Sequence, residues 1–136
     1  MIMVDVHFDT SVVMRFLVGM PLSQFRLAAR YLDHLRDGGG SAWVSDLVLS
    51  EAYIALQQYY DLSKADALAA LNKFARLPGI HVIPHALATL SLPSLASAKP
   101  GFVDRLIHGQ AVEAGQTLVT FEKAAKNLTA TVVLGH

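Results

Sequence analysis

The spacing of apolar and polar positions along the chain switches between the strand period of two and the helical period of about 3.6. In the first third it predicts a strand at residues 2–8, a helix through TSVVMRFLVG, and a longer helix at residues 22–37 that GGGS, residues 38–41, brings to an end. AWVS, residues 42–45, favours a short strand, and a helix containing Glu51 follows it directly.

The rest of the chain continues this alternation. DLSKADALAALNKFARL predicts a helix with Ser63 as its N-cap, and PGIHVIP predicts a turn followed by a strand at residues 80–83. Residues 85–97 have helical spacing that Pro93 interrupts. The last third predicts, in order, a helix from about residue 102 to residue 114 with Gly115 as its C-cap, the strand TLVT, a helical turn after Phe121, and the strand TVVL.

Apolar, β-branched strands separated by helices favour an α/β fold, in which a central parallel sheet is covered by helices on both faces. Functional sites in such folds gather near the carboxyl ends of the strands. The chain has 136 residues, and it contains no repeat or linker that would divide it. We therefore expect a single domain over residues 1–136.

Composition narrows the classes of function. Eleven basic and eleven acidic side chains give a formal net charge of zero, so no global field attracts nucleic acid or an anionic membrane, although a local basic rim remains possible. Cysteine is absent, which excludes disulfides and thiolate metal sites. MIMVDVHFDT places an acid at position 5, where a signal peptide would be basic and then apolar, and no apolar run reaches the length of a membrane span. A cytoplasmic location is expected.

One acid lies in an unexpected place. In SDLVLSEAYIALQQYY, helical spacing puts Val48, Ala52, Ala55 and Tyr59 on one face, and Glu51 on or at the edge of that apolar stripe. An unpaired carboxylate buried there would cost several kcal/mol or take up a proton. Either this face is not part of the core, or another group neutralises the charge.

Three further acids follow predicted strands or begin predicted helices. Asp9 follows the first strand, Glu122 lies two residues after the strand end at Thr120, and Asp104 lies in the first turn of its helix. Each has an ordinary explanation as a helix cap or as a charge that complements the helix dipole.

The four acids together suggest a different role. The strand ends before Asp9, before the Glu51 helix and before Glu122 share one edge of a parallel sheet, where these side chains could converge. Clustered carboxylates repel one another unless a cation neutralises them, and Mg²⁺ or Mn²⁺ prefers such oxygen ligands. A water bound to such an ion attacks a phosphodiester, so the set indicates phosphodiester hydrolysis.

Three segments of the chain resemble the PIN domain family, and within it the VapC-like toxin ribonucleases. FDTSVVMRFLVG resembles the opening strand with its first acid, which implies Asp9 in that role. VSDLVLSEAYIALQQYYDLSKADALAAL resembles the segment of the second acid, which implies Glu51. GFVDRLIHGQAVEAGQTLVTFEKAAKNL resembles the segment of the third and fourth acids, which implies Asp104 and Glu122.

The resemblance implies a three-layer α/β/α sandwich and a Mg²⁺- or Mn²⁺-dependent endoribonuclease that cuts tRNA or another structured RNA. It also implies a homodimer, and a cognate antitoxin whose segment occludes the acidic site. Ser11 and Thr120 would orient a carboxylate or a water through their hydroxyls; helix capping is the alternative for both.

The sequence departs from the family pattern at several positions. Glu122 replaces the usual aspartate, and its extra methylene moves the carboxylate by more than about an ångström in a site where Mg²⁺ demands near-octahedral geometry. Gly101 stands where many relatives carry another acid, and Arg105 and Gly109 replace small or apolar residues. Arg105 is a candidate RNA contact, with a solvated surface role as its alternative. A catalytically weakened module that mainly binds a protein or RNA is the alternative function.

Overall fold

The computed structural model describes residues 4–135, and the chain divides into two compact units, residues 1–83 and 84–136. Strands and helices alternate within the first unit, as the sequence predicts. Its elements are β1 (Asp5–His7), α1 (Thr10–Val18), α2 (Leu22–Asp37), β2 (Ser41–Trp43), α3 (Asp46–Gln58), α4 (Lys64–Ala75) and β3 (Ile80–His81).

The three strands of the first unit form one parallel sheet in the order β1-β2-β3. Val6 pairs with Ala42, and Ala42 pairs with Ile80, so these side chains share one face of the sheet. Ala42 and Ile80 are buried, and α1, α3 and α4 pack on one another around Val13, Leu49 and Leu71. Helices that connect parallel strands thus supply the core, as expected for right-handed crossovers.

Side-chain caps mark the start of α1, α3 and α4 in the first unit, with Asp9 as the cap of α1. Ser45 Oγ accepts from the Val48 N–H at 3.2 Å, and Ser63 Oγ accepts from the Asp66 N–H at 3.1 Å. Each bond satisfies one of the backbone donors that a helix start leaves without a partner. The predicted N-cap at Ser63 is confirmed.

Gly40 lets the chain leave α2 and run beside β1. Its N–H donates to the Leu35 carbonyl at 2.9 Å, and the next N–H, of Ser41, donates to the Val4 carbonyl at 3.2 Å. A Cβ on Gly40 would collide with that same Val4 carbonyl oxygen and with the Leu35 side chain. The first link between β2 and the start of β1 therefore requires glycine.

The second unit pairs two helices and holds a separate parallel sheet in which β4 and β5 are neighbours. Val119 lies beside Val132 across that sheet. Its elements are α5 (Pro84–Leu90), a 3₁₀ turn (Leu95–Ser97), α6 (Phe102–Glu113), β4 (Leu118–Thr120), a second 3₁₀ turn (Lys123–Asn127) and β5 (Thr131–Val133).

His85 and Gly109 bring α5 and α6 together. His85 Nδ1 lies 3.0 Å from Glu113 Oε2, and the imidazole ring occupies the space that a Cβ on Gly109 would need, with Cγ 2.7 Å from that position. The glycine that departs from the family pattern therefore has a packing reason.

Several predicted elements differ from those observed. The strand predicted at residues 42–45 covers Ser41–Trp43, and the C-cap of α6 is Ala114 rather than Gly115, which follows it at φ 69°. The first strand covers Asp5–His7, and residues 2 and 3 of the predicted range lie outside the described residues. The strand at residues 80–83 is limited to Ile80–His81. The helix over residues 85–97 ends at Leu90, because the chain turns before Pro93 and then reaches Ser94 at φ 57°.

The α/β class with parallel strands is confirmed, whereas a single domain over residues 1–136 stays a prediction. Among residues 4–135, no single helix has both the length and the apolar character needed to cross a membrane. Only α1 and α2 taken together meet that test, with a bend of 108° between them.

Candidate active site

Asp9 follows β1 by two residues and caps α1. Its Oδ1 accepts from the Val12 N–H at 3.1 Å and from the Ser11 hydroxyl at 2.6 Å. The Ser11 hydroxyl, followed by the Val12 N–H, lowers the pKa of the Asp9 carboxyl. Asp9 is therefore an oriented carboxylate at the solvent surface, in direct contact with the Ser11 hydroxyl, and a role for Ser11 beside a metal stays a prediction.

Glu51 is exposed, so the first of the two alternatives holds: its position on α3 is not part of the core. The buried face of α3 carries Leu49, Ala52 and Leu56, whereas Tyr59 at the end of the expected stripe is 79 % exposed. The short side chain of Ala52 belongs to both stripes, which made the two faces hard to separate from the sequence. Glu51 remains a candidate metal ligand because of the family motif and because of its place in the helix after β2.

Asp46 is an acid of α3 that the sequence analysis missed. It lies in the first turn, directly after the Ser45 cap, and its side chain is only 4 % exposed. The positive end of the helix dipole favours a carboxylate at this place. Its position one residue after an N-cap serine was the available signal, although such a signal is also common for acids that remain in solvent.

Asp104 lies in the first turn of α6 and is exposed. Gly101, the N-cap of this helix, contributes no side-chain hydrogen bond. Arg105 turns away toward the preceding loop, where its Nε donates to the Pro100 carbonyl at 2.7 Å. The Arg105 side chain thus ties the loop to α6, which is a role that the sequence analysis did not consider.

Glu122 follows β4 and caps the second 3₁₀ turn. Its Oε1 accepts from the Ala124 N–H at 3.1 Å, while its own N–H donates to Thr120 Oγ1 at 3.0 Å. The Thr120 hydroxyl therefore accepts a hydrogen bond from the backbone of Glu122, and Glu122 itself is the N-cap of the turn. A role for Thr120 in orienting a carboxylate or a water stays a prediction.

Each compact unit supplies two of the four predicted acids. In the first unit, Asp9 follows β1, and Glu51 lies in the helix that follows the neighbouring parallel strand β2. The second unit contains Asp104 and Glu122. Neither unit by itself, over its described residues, brings three or more His, Asp or Glu side chains together as a metal site. Convergence of all four carboxylates stays a prediction.

The available oxygens suit a hard divalent ion. Hydrogen bonds orient the Asp9 carboxylate and lower its pKa, and exposed carboxylates can keep the waters that Mg²⁺ retains in its shell. Carboxylate oxygens are the type of ligand that Mg²⁺ or Mn²⁺ prefers, and Asp9 is the best oriented of the four acids.

A cleft of about 440 Å³ lies next to Asp9, entirely within the first unit. Ser11, which holds the Asp9 carboxylate, forms part of its lining. Residues of α1 and α2 also line the cleft, among them Val12, Arg15, Gln24, Leu27 and Tyr31.

The fold and the placement of these acids define an α/β protein with a candidate acidic site after parallel strands. The family model of the PIN domain matches residues 6–130, a span that includes all four acids, and the chain belongs to the PIN domain family. The PIN-like α/β fold predicted from the sequence is thereby confirmed.

Among solved structures, the chain is similar to one described as VapBC2 from Rickettsia felis bound to a DNA fragment from their promoter. The identity is 15 %, the TM-score is 0.41, and the match covers 96 % of this chain and 97 % of the other. A search of curated proteins finds no match.

Proposed function

We propose that this chain is a Mg²⁺- or Mn²⁺-dependent endoribonuclease, the VapC-like toxin of a toxin–antitoxin pair, which hydrolyses phosphodiester bonds of tRNA or another structured RNA. Membership of the PIN domain family supports the proposal, together with the four acids inside the matched span. The observation that carries it is Asp9, an acid after a parallel strand whose carboxylate is oriented by the Ser11 hydroxyl and the Val12 N–H.

Asp9, Glu51, Asp104 and Glu122 are the residues proposed to hold the cation. The cation would supply an activated water and would stabilise charge on the phosphate. The chain's own contribution starts at Asp9, because the bonds from Ser11 and Val12 fix the direction of its carboxylate before any ligand arrives. Glu51, being exposed, provides a second carboxylate without a large desolvation cost.

The same proposal includes a cognate antitoxin that blocks the acidic site, a homodimer, and a cytoplasmic location. Because the formal net charge is zero, RNA binding must come from local contacts rather than from the charge of the whole chain. A low affinity for arbitrary RNA at physiological salt is therefore expected.

Cleavage of structured RNA by the full chain, purified free of antitoxin, tests the enzyme proposal. Wild type should cut in Mg²⁺ or Mn²⁺ and should stop cutting in EDTA, while Glu51→Gln should lose at least about a hundredfold in rate. Asp66→Asn is the matched control, because it removes an equally exposed acid from α4. Absence of metal-dependent cutting, or equal cutting by Glu51→Gln, would refute the proposal.

One departure from the family pattern favours the alternative of a weakened binding module. Glu122 has a longer side chain than the aspartate that the family pattern has at this place. In that case RNA or a protein partner would bind with measurable affinity, and no cleavage would follow in either metal.

A further inference from the structure

The cleft beside Asp9 has the size of a small-ligand site. Its volume of about 440 Å³ falls within the range of roughly 300–1,000 Å³ that such sites occupy. Ser11 lies at this cleft and donates to the Asp9 carboxylate at 2.6 Å. A ligand in the cleft would therefore lie one side chain away from the best-oriented candidate metal ligand.

Arg15 and Gln24, which both line the cleft, supply hydrogen-bond donors. Arg15 Nε donates to Gln24 Oε1 at 2.6 Å, and this bond uses neither the Nη donors of Arg15 nor the amide N–H groups of Gln24. Over residues 4–135, Arg15 makes no ion pair with a carboxylate. This part of the cleft is thus cationic and suits a ligand that presents acceptor atoms side by side.

The walls of the cleft are apolar and include an exposed aromatic ring. Tyr31 is 53 % exposed, and its ring centroid lies 6.2 Å from that of Phe8. Leu27, one turn earlier on α2, is 63 % exposed. A planar base can stack on such a ring, which stabilises binding without regard to base identity.

We propose that this cleft binds a guanine base of the RNA, with Tyr31 as the stacking surface and the Arg15–Gln24 pair as the reader of its edge. Guanine presents O6 and N7 as adjacent acceptors, which an arginine fork contacts together. The positive charge of Arg15 also suits a polyanionic strand whose phosphate approaches Asp9. This inference rests on the proposed function and adds a base-recognition site to it.

Binding of short oligouridylates that carry one guanosine tests the inference. The full chain with Glu51→Gln serves as the host, so that cleavage does not interfere. Replacing guanosine by deazaguanosine, in which C–H takes the place of N7, should weaken binding about tenfold, and an all-uridine strand should bind at least as weakly. Equal affinity for the three strands would overturn the inference.

Variants separate base reading from stacking. Arg15→Lys keeps the charge but loses the fork, and Gln24→Glu gives Arg15 a carboxylate partner that competes with guanine for the donors of the fork; both should abolish the preference for guanosine. Tyr31→Ala should weaken all three strands by about tenfold, whereas Tyr31→Phe should not. Arg30→Ala removes an exposed charge from α2 outside the cleft and should retain the preference.

The outcomes distinguish this inference from the proposed function. Metal-dependent cleavage that ignores guanine and survives Arg15→Lys overturns the base site and leaves the nuclease in place. Guanine-selective binding without cleavage in either metal supports the base site and refutes the nuclease. If a protein segment binds at Tyr31 and RNA binding is unchanged in its presence, the base site is overturned. Unfolding curves of Arg15→Lys and Gln24→Glu confirm that a lost preference does not come from a lost fold.

Discussion

Asp9 is both the cap of α1 and the proposed first metal ligand, and two substitutions separate these roles. Asp9→Ala removes the acceptor of the Val12 N–H and of the Ser11 hydroxyl. Loss of an N-cap typically costs about 0.5–2 kcal/mol, and the leading bond here is charge-assisted, so we expect about 1.5 kcal/mol at neutral pH. Asp9→Asn retains an oxygen acceptor and should cost only a few tenths of a kcal/mol, the charge–dipole part.

The cost of Asp9→Ala should depend on pH with a definite sign. Since hydrogen bonds lower the pKa of Asp9 in the folded state, its carboxylate contributes stability above the unfolded value of about 3.9. That contribution is lost as pH falls through the lower folded pKa. The difference between wild type and Asp9→Ala should therefore be full at pH values above about 5 and should shrink in strong acid.

Urea unfolding followed by circular dichroism, at several pH values and with the metal removed by EDTA, measures these differences. RNA cleavage in Mg²⁺ or Mn²⁺ is measured on the same proteins. Asp9→Asn should fold like wild type and lose cleavage by at least about a hundredfold. The reasoning would be refuted if Asp9→Asn retained cleavage, or if Asp9→Ala were as stable as wild type at neutral pH.

Three further predictions concern the fold and the fourth acid. Gly109→Ala should lower the free energy of unfolding by about 1–2 kcal/mol, measured with urea, because the clash of the new Cβ with the His85 ring exceeds the gain in helix propensity. In a His85→Ala background the same substitution should instead be neutral or stabilising. Gly40→Ala should cost at least about 2 kcal/mol, since its Cβ meets the backbone carbonyl of Val4, whereas Gly101→Ala, whose Cβ would meet nothing within 4 Å, should change stability far less. Glu122→Asp should preserve or improve Mg²⁺ binding in titration calorimetry, and a large loss of affinity would show that the longer side chain is required.

The order of elements could be predicted from the sequence because local rules govern it. Glycine at residues 38–40 ends α2, Ser63 caps α4, and β-branched runs mark β4 and β5. Strand lengths were less predictable, since a strand ends where its hydrogen-bonded neighbour ends, and β3 pairs over Ile80–His81 alone. Pairing partners lie far along the chain, and no local window contains them.

The candidate residues were predicted one by one, but the rotation of α3 about its axis was not fixed. Glu51 was placed on or at the edge of an apolar stripe, whereas it is exposed and Asp46 is the buried acid of α3. A shift of one position in a helix rotates the assigned face by roughly 100°. Small residues such as Ala52 and Ala55 fit either face, so hydrophobicity alone could not fix the rotation. Only the packing of Leu49 and Leu56 against the core decides it.

The cap at Asp9 also has a genetic consequence. The hydrogen bonds from Ser11 and Val12 both end on Oδ1 of Asp9, and asparagine offers an oxygen at the same place. A single base transition converts an aspartate codon into an asparagine codon. If the chain is toxic in its host, selection for survivors should recover Asp9→Asn alleles that still accumulate as full-length protein and still sequester the antitoxin. Such alleles would still affect regulation of the locus, because their product binds the antitoxin, but they would not kill the host.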